Sequence, residues 1–96
     1  VSDQAREALT KANAVRSARR VTRERIESGE LSLLEALQDI PPELAKVKVE
    51  RFLRWGPYVG PTRARAIGGE LNGLSLADLT WSQRRTLAAR LPERLT

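Results

Sequence analysis

Two groups of side chains in this sequence have the types and spacing to hold a polyanion. The first lies in Lys46–Leu71, where Lys46, Lys48, Arg51 and Arg54 precede a Gly56-Pro57-Tyr58-Val59-Gly60 break and Arg63 and Arg65 follow it. The second is Arg16, Arg19, Arg20 and Arg23, spaced i, i+3, i+4, i+7, which makes one stripe if the segment is helical. Nothing comparable is present for catalysis. The chain has no His and no Cys, which removes the commonest general base, the commonest metal ligand and all thiolate chemistry. Asp78 and Glu43 have no nucleophile or carboxylate close in sequence. The expectation is a protein that is not an enzyme, with no cofactor and no metal site.

The chemistry of the break follows from backbone physics. A helix start presents N–H groups that have no partner within the helix, together with the positive end of the macrodipole. A glycine turn lets an anion approach that backbone closely, and flanking Arg and Lys add charge. Pro61 can open the second helix, where its missing N–H costs little. Such a corner suits a phosphate backbone and has no base code of its own. An ordinary αα-hairpin with a solvated charged surface is the plainer alternative. Tyr58, at the tip of the turn, either packs on a sugar–phosphate edge or covers the hairpin.

Charge distribution favours the first reading. The 96 residues carry a net charge of +5. Residues 1–40 balance seven basic against seven acidic groups, and residues 41–96 hold ten against five. Two local clusters of +5 stand out, Lys11 to Arg25 and Lys46 to Arg65. Basic patches of this kind fit a polyanion partner. No apolar run approaches the roughly 20 residues of a membrane span. The opening residues lack an apolar signal core, so a cytoplasmic location is expected.

The elements that position these groups read as helices throughout, within one domain spanning residues 1–96. Residues 3–28 have no Pro or Gly and abundant Ala, Arg and Glu, which predicts a helix of about 39 Å. Ala5, Leu9 and Ala12 share one face of it; Val15, Ala18, Thr22 and Ile26 share another. Glu24 with Arg20 is an expected ion pair. Gly29 is the expected stop. Ser32-Leu33-Leu34-Glu35 has the form of a capping box, followed by a short helix with Leu33, Leu34 and Leu37 inward. Pro41-Pro42 ends it. Ala45, Val49, Phe52 and Leu53 then form one helical face, and Ala64, Ile67 and Leu71 the next. Asn72-Gly73 is a turn, and Ser75–Leu79 a single helical turn. Thr80 and Gln83 form a second capping box. The last helix spans Trp81 to Arg90, with Trp81, Leu87, Ala88 and Leu91 on one side and the Arg84 stem snorkelling outward. Both tryptophans and Phe52 are expected in the core.

Taken in order, Lys46-Val47-Lys48-Val49, the Pro57-Tyr58-Val59-Gly60 turn, Thr62-Arg63-Ala64-Arg65-Ala66-Ile67 and Gln83-Arg84-Arg85-Thr86-Leu87 resemble the actinobacterial integration host factor family. The resemblance extends back through Ser32-Leu33-Leu34-Glu35 to the long Ala/Arg helix, nearly the whole chain. It implies an all-α fold: a long basic helix over residues 1–28, then a compact helix–two-turn–helix core over 32–96, about five helices in all. It also implies a monomeric nucleoid-associated protein that contacts double-stranded DNA through its backbone and bends it, supporting compaction or recombination beside a recombinase. Carried over by position, the contacts would be Lys46, Lys48, Pro57, Tyr58, Val59, Gly60, Thr62, Arg63, Arg84 and Arg85. Arg16, Arg19, Arg20 and Arg23 would lie on the long helix. The family's Arg-rich loop before the Gln is replaced here by Ser75–Leu79, which has no arginine and carries Asp78. A structured-RNA binder and a protein-interaction adaptor for a recombinase are the alternatives.

Overall fold

Start and stop signals decide where the elements fall in the computed structural model, which describes residues 3–57 and 59–93. Helix α1 spans Asp3–Glu27, and Gly29 turns the chain out of it at φ +84°, a backbone conformation that favours glycine. Helix α2, Leu33–Gln38, is capped by the Ser32 hydroxyl, which accepts from the Glu35 N–H at 3.0 Å. Only this half of the expected box forms among the described residues. A 3₁₀ turn, Pro42–Leu44, leads to α3, Val49–Arg54, and then to α4, Pro61–Gly68. Two further 3₁₀ turns, Gly69–Leu71 and Leu76–Asp78, precede α5, Trp81–Arg90. The second capping box is complete: Gln83 N–H donates to Thr80 Oγ1 at 3.1 Å, and Thr80 N–H donates to Gln83 Oε1 at 2.8 Å. Among the described residues the fold is all-α with five helices, as the resemblance implies.

One local expectation fails. Lys46 and Lys48 are not helical, because residues 47–49 pair with 74–76. Val49 N–H donates to the Leu74 carbonyl and Leu76 N–H to that of Val47, both at 2.9 Å. Lys48 and Ser75 form an isolated antiparallel bridge, and Lys48 is extended at ψ 147°. Pairing with a distant segment overrides helix propensity here. It shortens α3 to six residues and leaves Ala45 half-buried.

Phe52, Leu53, Val49, Leu33, Leu37, Leu44, Leu76, Leu87 and Ile26 are sealed from solvent and form the centre of the core. Trp55 meets Phe52 edge-on, ring centroids 6.1 Å apart at 69°, a favourable aromatic geometry. Trp81 is the exception to the expected aromatic core: it is 71% exposed. It is the first residue of α5, and no element packs over that end. Leu34 is only half-buried, and Ala36 takes the inward position instead.

α1 touches the body at one end only. Residues 3–18 are exposed, Leu9 by 62%, and burial begins at Thr22 and Ile26. The two apolar faces expected along this helix are therefore largely in solvent. The molecule measures 49 × 27 × 23 Å, its long axis reflecting this projecting helix. On α1 the ion pair within the helix is Arg23 Nε with Glu27 Oε1 at 3.2 Å rather than Arg20 with Glu24.

Candidate nucleic-acid interface

Between α3 and α4 the chain folds back through two short turns. Gly56 N–H donates to Leu53 O and Val59 N–H to Gly56 O, both at 3.1 Å. Neither Gly56 nor Gly60 needs positive φ; only Gly29 and Gly69 have it. The two glycines serve different ends. A Cβ on Gly56 would lie 2.7 Å from Leu33 Cδ1 and 3.3 Å from the Leu53 carbonyl, so the residue is small because the core is against it. A Cβ on Gly60 would meet no atom within 4 Å. Gly60 is exposed, extended at φ −84° and ψ 177°, and caps α4 without a side chain.

The amides at this corner divide accordingly. Val59 is buried and its N–H is satisfied within the turn. The first helical bond of α4 is Ala64 N–H to Gly60 O at 3.0 Å. Pro61 has no N–H, which leaves those of Gly60, Thr62 and Arg63, all on exposed residues and unpaired among the described residues. The open part of the corner thus begins at Gly60, after the buried Val59. Tyr58 lies outside the described residues. Pro57 is half-buried beside Gly56.

The arginines of α4 diverge around the inward Ala64. Arg65 reaches α3, its Nε 3.1 Å from Glu50 Oε1. Arg63 lies on the other flank, sharing a shallow groove with Ala66, Ile67, Arg90 and Pro92. Arg63 and Lys46 line separate grooves. Arg90 is occupied structurally: Nη1 donates to the Ile67 and Gly68 carbonyls at 3.3 Å, and Nη2 lies 2.9 Å from Glu70 Oε1. It closes the carbonyl end of α4, helped by Asn72 Nδ2 on the Arg65 carbonyl at 3.1 Å. The Arg90 hydrogen bond holds the Glu70 carboxyl below its ordinary value of 4.5.

Lys46 turns instead toward α1. One groove is lined by Lys11, Ala12, Val15, Arg16, Arg19, Pro42, Glu43, Ala45 and Lys46. A second, beside it, is lined by Arg16, Arg19, Arg20, Arg23, Arg51 and Trp55. The two basic clusters of the sequence thus meet along these two grooves, beside the Pro42–Leu44 turn on which α1 packs. Arg19 is partly committed, its Nε donating to the Glu43 carbonyl at 3.2 Å, and Arg23 pairs with Glu27. The side chains of Arg16, Arg20, Lys46, Lys48 and Arg51 have no hydrogen bond or ion pair among the described residues. Arg51 belongs with the stripe, and its position off the buried face of α3 is the sequence signal for it.

Arg84 and Arg85 sit apart from both regions. They line a groove between α2 and α5 with Leu34, Leu37, Gln38, Trp81 and Ala88. The Arg85 guanidinium carbon is 4.8 Å from the Trp81 ring centroid, within cation–π range. Arg84 Nε is buried with no hydrogen-bond partner. Among the described residues no helix is long and apolar enough to cross a membrane.

The fold, a long helix attached to a body of short helices, is similar to that of a solved integration host factor-type structure. The particular structure to which the chain is similar is that of sIHF bound to an 8 bp palindromic DNA. The two share a TM-score of 0.71 and 27% identity, over 83% of this chain and 96% of that one. No family model matches the chain, and no curated protein does.

Proposed function

We propose that this chain is a non-enzymatic, integration host factor-like protein that grips double-stranded DNA by its phosphate backbone and bends it. The observation that carries the reading is the open start of α4: three amides unpaired among the described residues, around a glycine whose Cβ position faces empty space. A phosphate fits there because its oxygens accept from those N–H groups at the positive end of the helix. The likeness to sIHF, whose structure contains DNA, supports the same conclusion.

The contact set would be Lys46, Lys48, Pro57, Tyr58, Gly60, Thr62 and Arg63, with Arg51 on α3 and Arg16 and Arg20 on α1 extending it. Smooth bending of a 20–30 bp site costs on the order of 1–6 kcal/mol. Counterions released as more phosphates are covered offset that cost. The protein acts as a monomer of one domain, in the cytoplasm at the nucleoid. There it supports compaction, or site-specific recombination beside a recombinase.

The test is a titration of random-sequence duplex at two salt concentrations, repeated with Gly60→Glu. Affinity should fall steeply with salt, since each phosphate contact contributes a slope of about −0.9. Gly60→Glu should keep its circular dichroism and lose mobility-shift binding. Salt-independent affinity, or a folded variant that binds normally, refutes the reading. Preferential displacement by structured RNA would transfer the same surface to RNA.

A further inference from the structure

We propose that the groove between α2 and α5 is a docking site for an acidic amphipathic helix of a partner protein. Its floor is apolar, formed by Leu34, Leu37 and Ala88, and its rim carries Trp81, Arg84 and Arg85. Trp81 is 71% exposed, and Arg85 is stacked on its ring at 4.8 Å, so the pair is already oriented. Tryptophan and arginine are the side chains that most often dominate protein interfaces. The Arg84 Nε is withdrawn from solvent and still lacks an acceptor. A buried donor without an acceptor is costly, and the same guanidinium carries a charge that pairs well with a carboxylate.

The spacing specifies the shape of the occupant. Trp81, Arg84, Arg85 and Ala88 recur at i, i+3, i+4, i+7, and Leu34 and Gln38 at i, i+4 on the facing helix. The strip runs about 10 Å along α5, enough for two turns of a third helix laid in the groove. Such a helix would place apolar residues on Leu34 and Leu37 and carboxylates against Arg84 and Arg85.

The charges decide between occupants. Arg84 and Arg85 make no ion pair among the described residues. A second copy of this chain would offer α1, its one helix with so much free surface, and α1 carries seven basic residues against four acidic. That pairing is repulsive. A duplex backbone satisfies the arginines and gains nothing from a leucine floor. The groove also lies on the α2 side of α5, whereas Arg90 on the same helix faces α4.

The full chain would be used to select from a phage-displayed library of random peptides of about 16 residues, long enough for some four helical turns. Selected peptides should combine apolar residues at helical spacing with Asp and Glu. Trp81→Ala and Arg84→Gln, each checked for an unchanged circular dichroism spectrum, should weaken a selected peptide roughly tenfold or more. In parallel, acrylamide quenching follows Trp81, because Trp55 is buried; the acidic peptide should protect it and random duplex should not. The proposal is overturned if selection yields no peptide, if the selected peptides are basic, or if Trp81→Ala binds them equally well. Protection of Trp81 by duplex DNA also overturns it and assigns the groove to nucleic acid.

Discussion

The Thr22 hydroxyl donates a 2.6 Å hydrogen bond to the Glu43 carboxylate, which fastens α1 to the turn before α3. Arg19 reinforces the joint by donating from Nε to the carbonyl of the same glutamate. Thr22→Val removes the donor and keeps the shape. A hydrogen bond to a charged group contributes about 1.5–3 kcal/mol, so urea denaturation should show a loss near the lower end, given that Glu43 is half-buried. Amide exchange should accelerate first where α1 meets the Pro42–Leu44 turn.

The same joint has an apolar half in Ile26, which is fully buried. Ile26→Ala should cost about 2–5 kcal/mol. Leu9→Ala, on the exposed stretch of the same helix, should leave the melting temperature unchanged. Equal losses would mean that the first half of α1 is packed in solution.

Gly56 and Gly60 should respond in opposite ways. Gly56→Ala forces a methyl onto Leu33 and should destabilise by about 1–3 kcal/mol. Gly60→Ser puts a favourable capping residue at an extended, unobstructed position, so thermal stability should hold or rise. Melting curves of the two variants decide it.

Acid should weaken one identifiable contact. The Arg90 hydrogen bond lowers the Glu70 carboxyl, so the folded state binds that proton less readily than the unfolded chain does. The stabilisation is therefore present above 4.5 and disappears as pH falls through the lower folded value. The melting-temperature difference between the wild-type protein and Glu70→Gln should be positive at neutral pH and close below that range. The effect should be small, because the pair is solvent-exposed.

Arg51→Ala should flatten the salt dependence of duplex binding by about one unit of slope, as expected for one phosphate contact. Folding should be little affected, since the side chain is exposed and has no partner among the described residues. Titrations at several salt concentrations measure both points.

Local chemistry was legible where neighbours in sequence decide the outcome. The Gly29 stop, the Thr80–Gln83 box, Pro61 at the start of α4 and the five helices all follow from residues within a turn of each other. Lys46 and Lys48 fall outside α3, against the local pattern, because the pairing that holds residues 47–49 comes from Leu74 and Leu76, more than twenty residues away. Trp81 was misplaced because hydropathy favours burying it, while its place at the open start of α5 leaves nothing to cover it. The charge clusters were legible as charge but not as geometry. No spacing rule reveals that Lys46 turns to Arg16 and Arg19, that Glu50 occupies Arg65, or that Arg90 closes a helix end.

Because α1 is secured only near Thr22 and Ile26, it works as a lever with its pivot close to one end. From Arg19 to Asp3 the arm is roughly 24 Å long, so a tilt of about ten degrees moves the tip by about 4 Å. Small adjustments at Glu43 therefore sweep the outer part of the basic stripe through a wide arc.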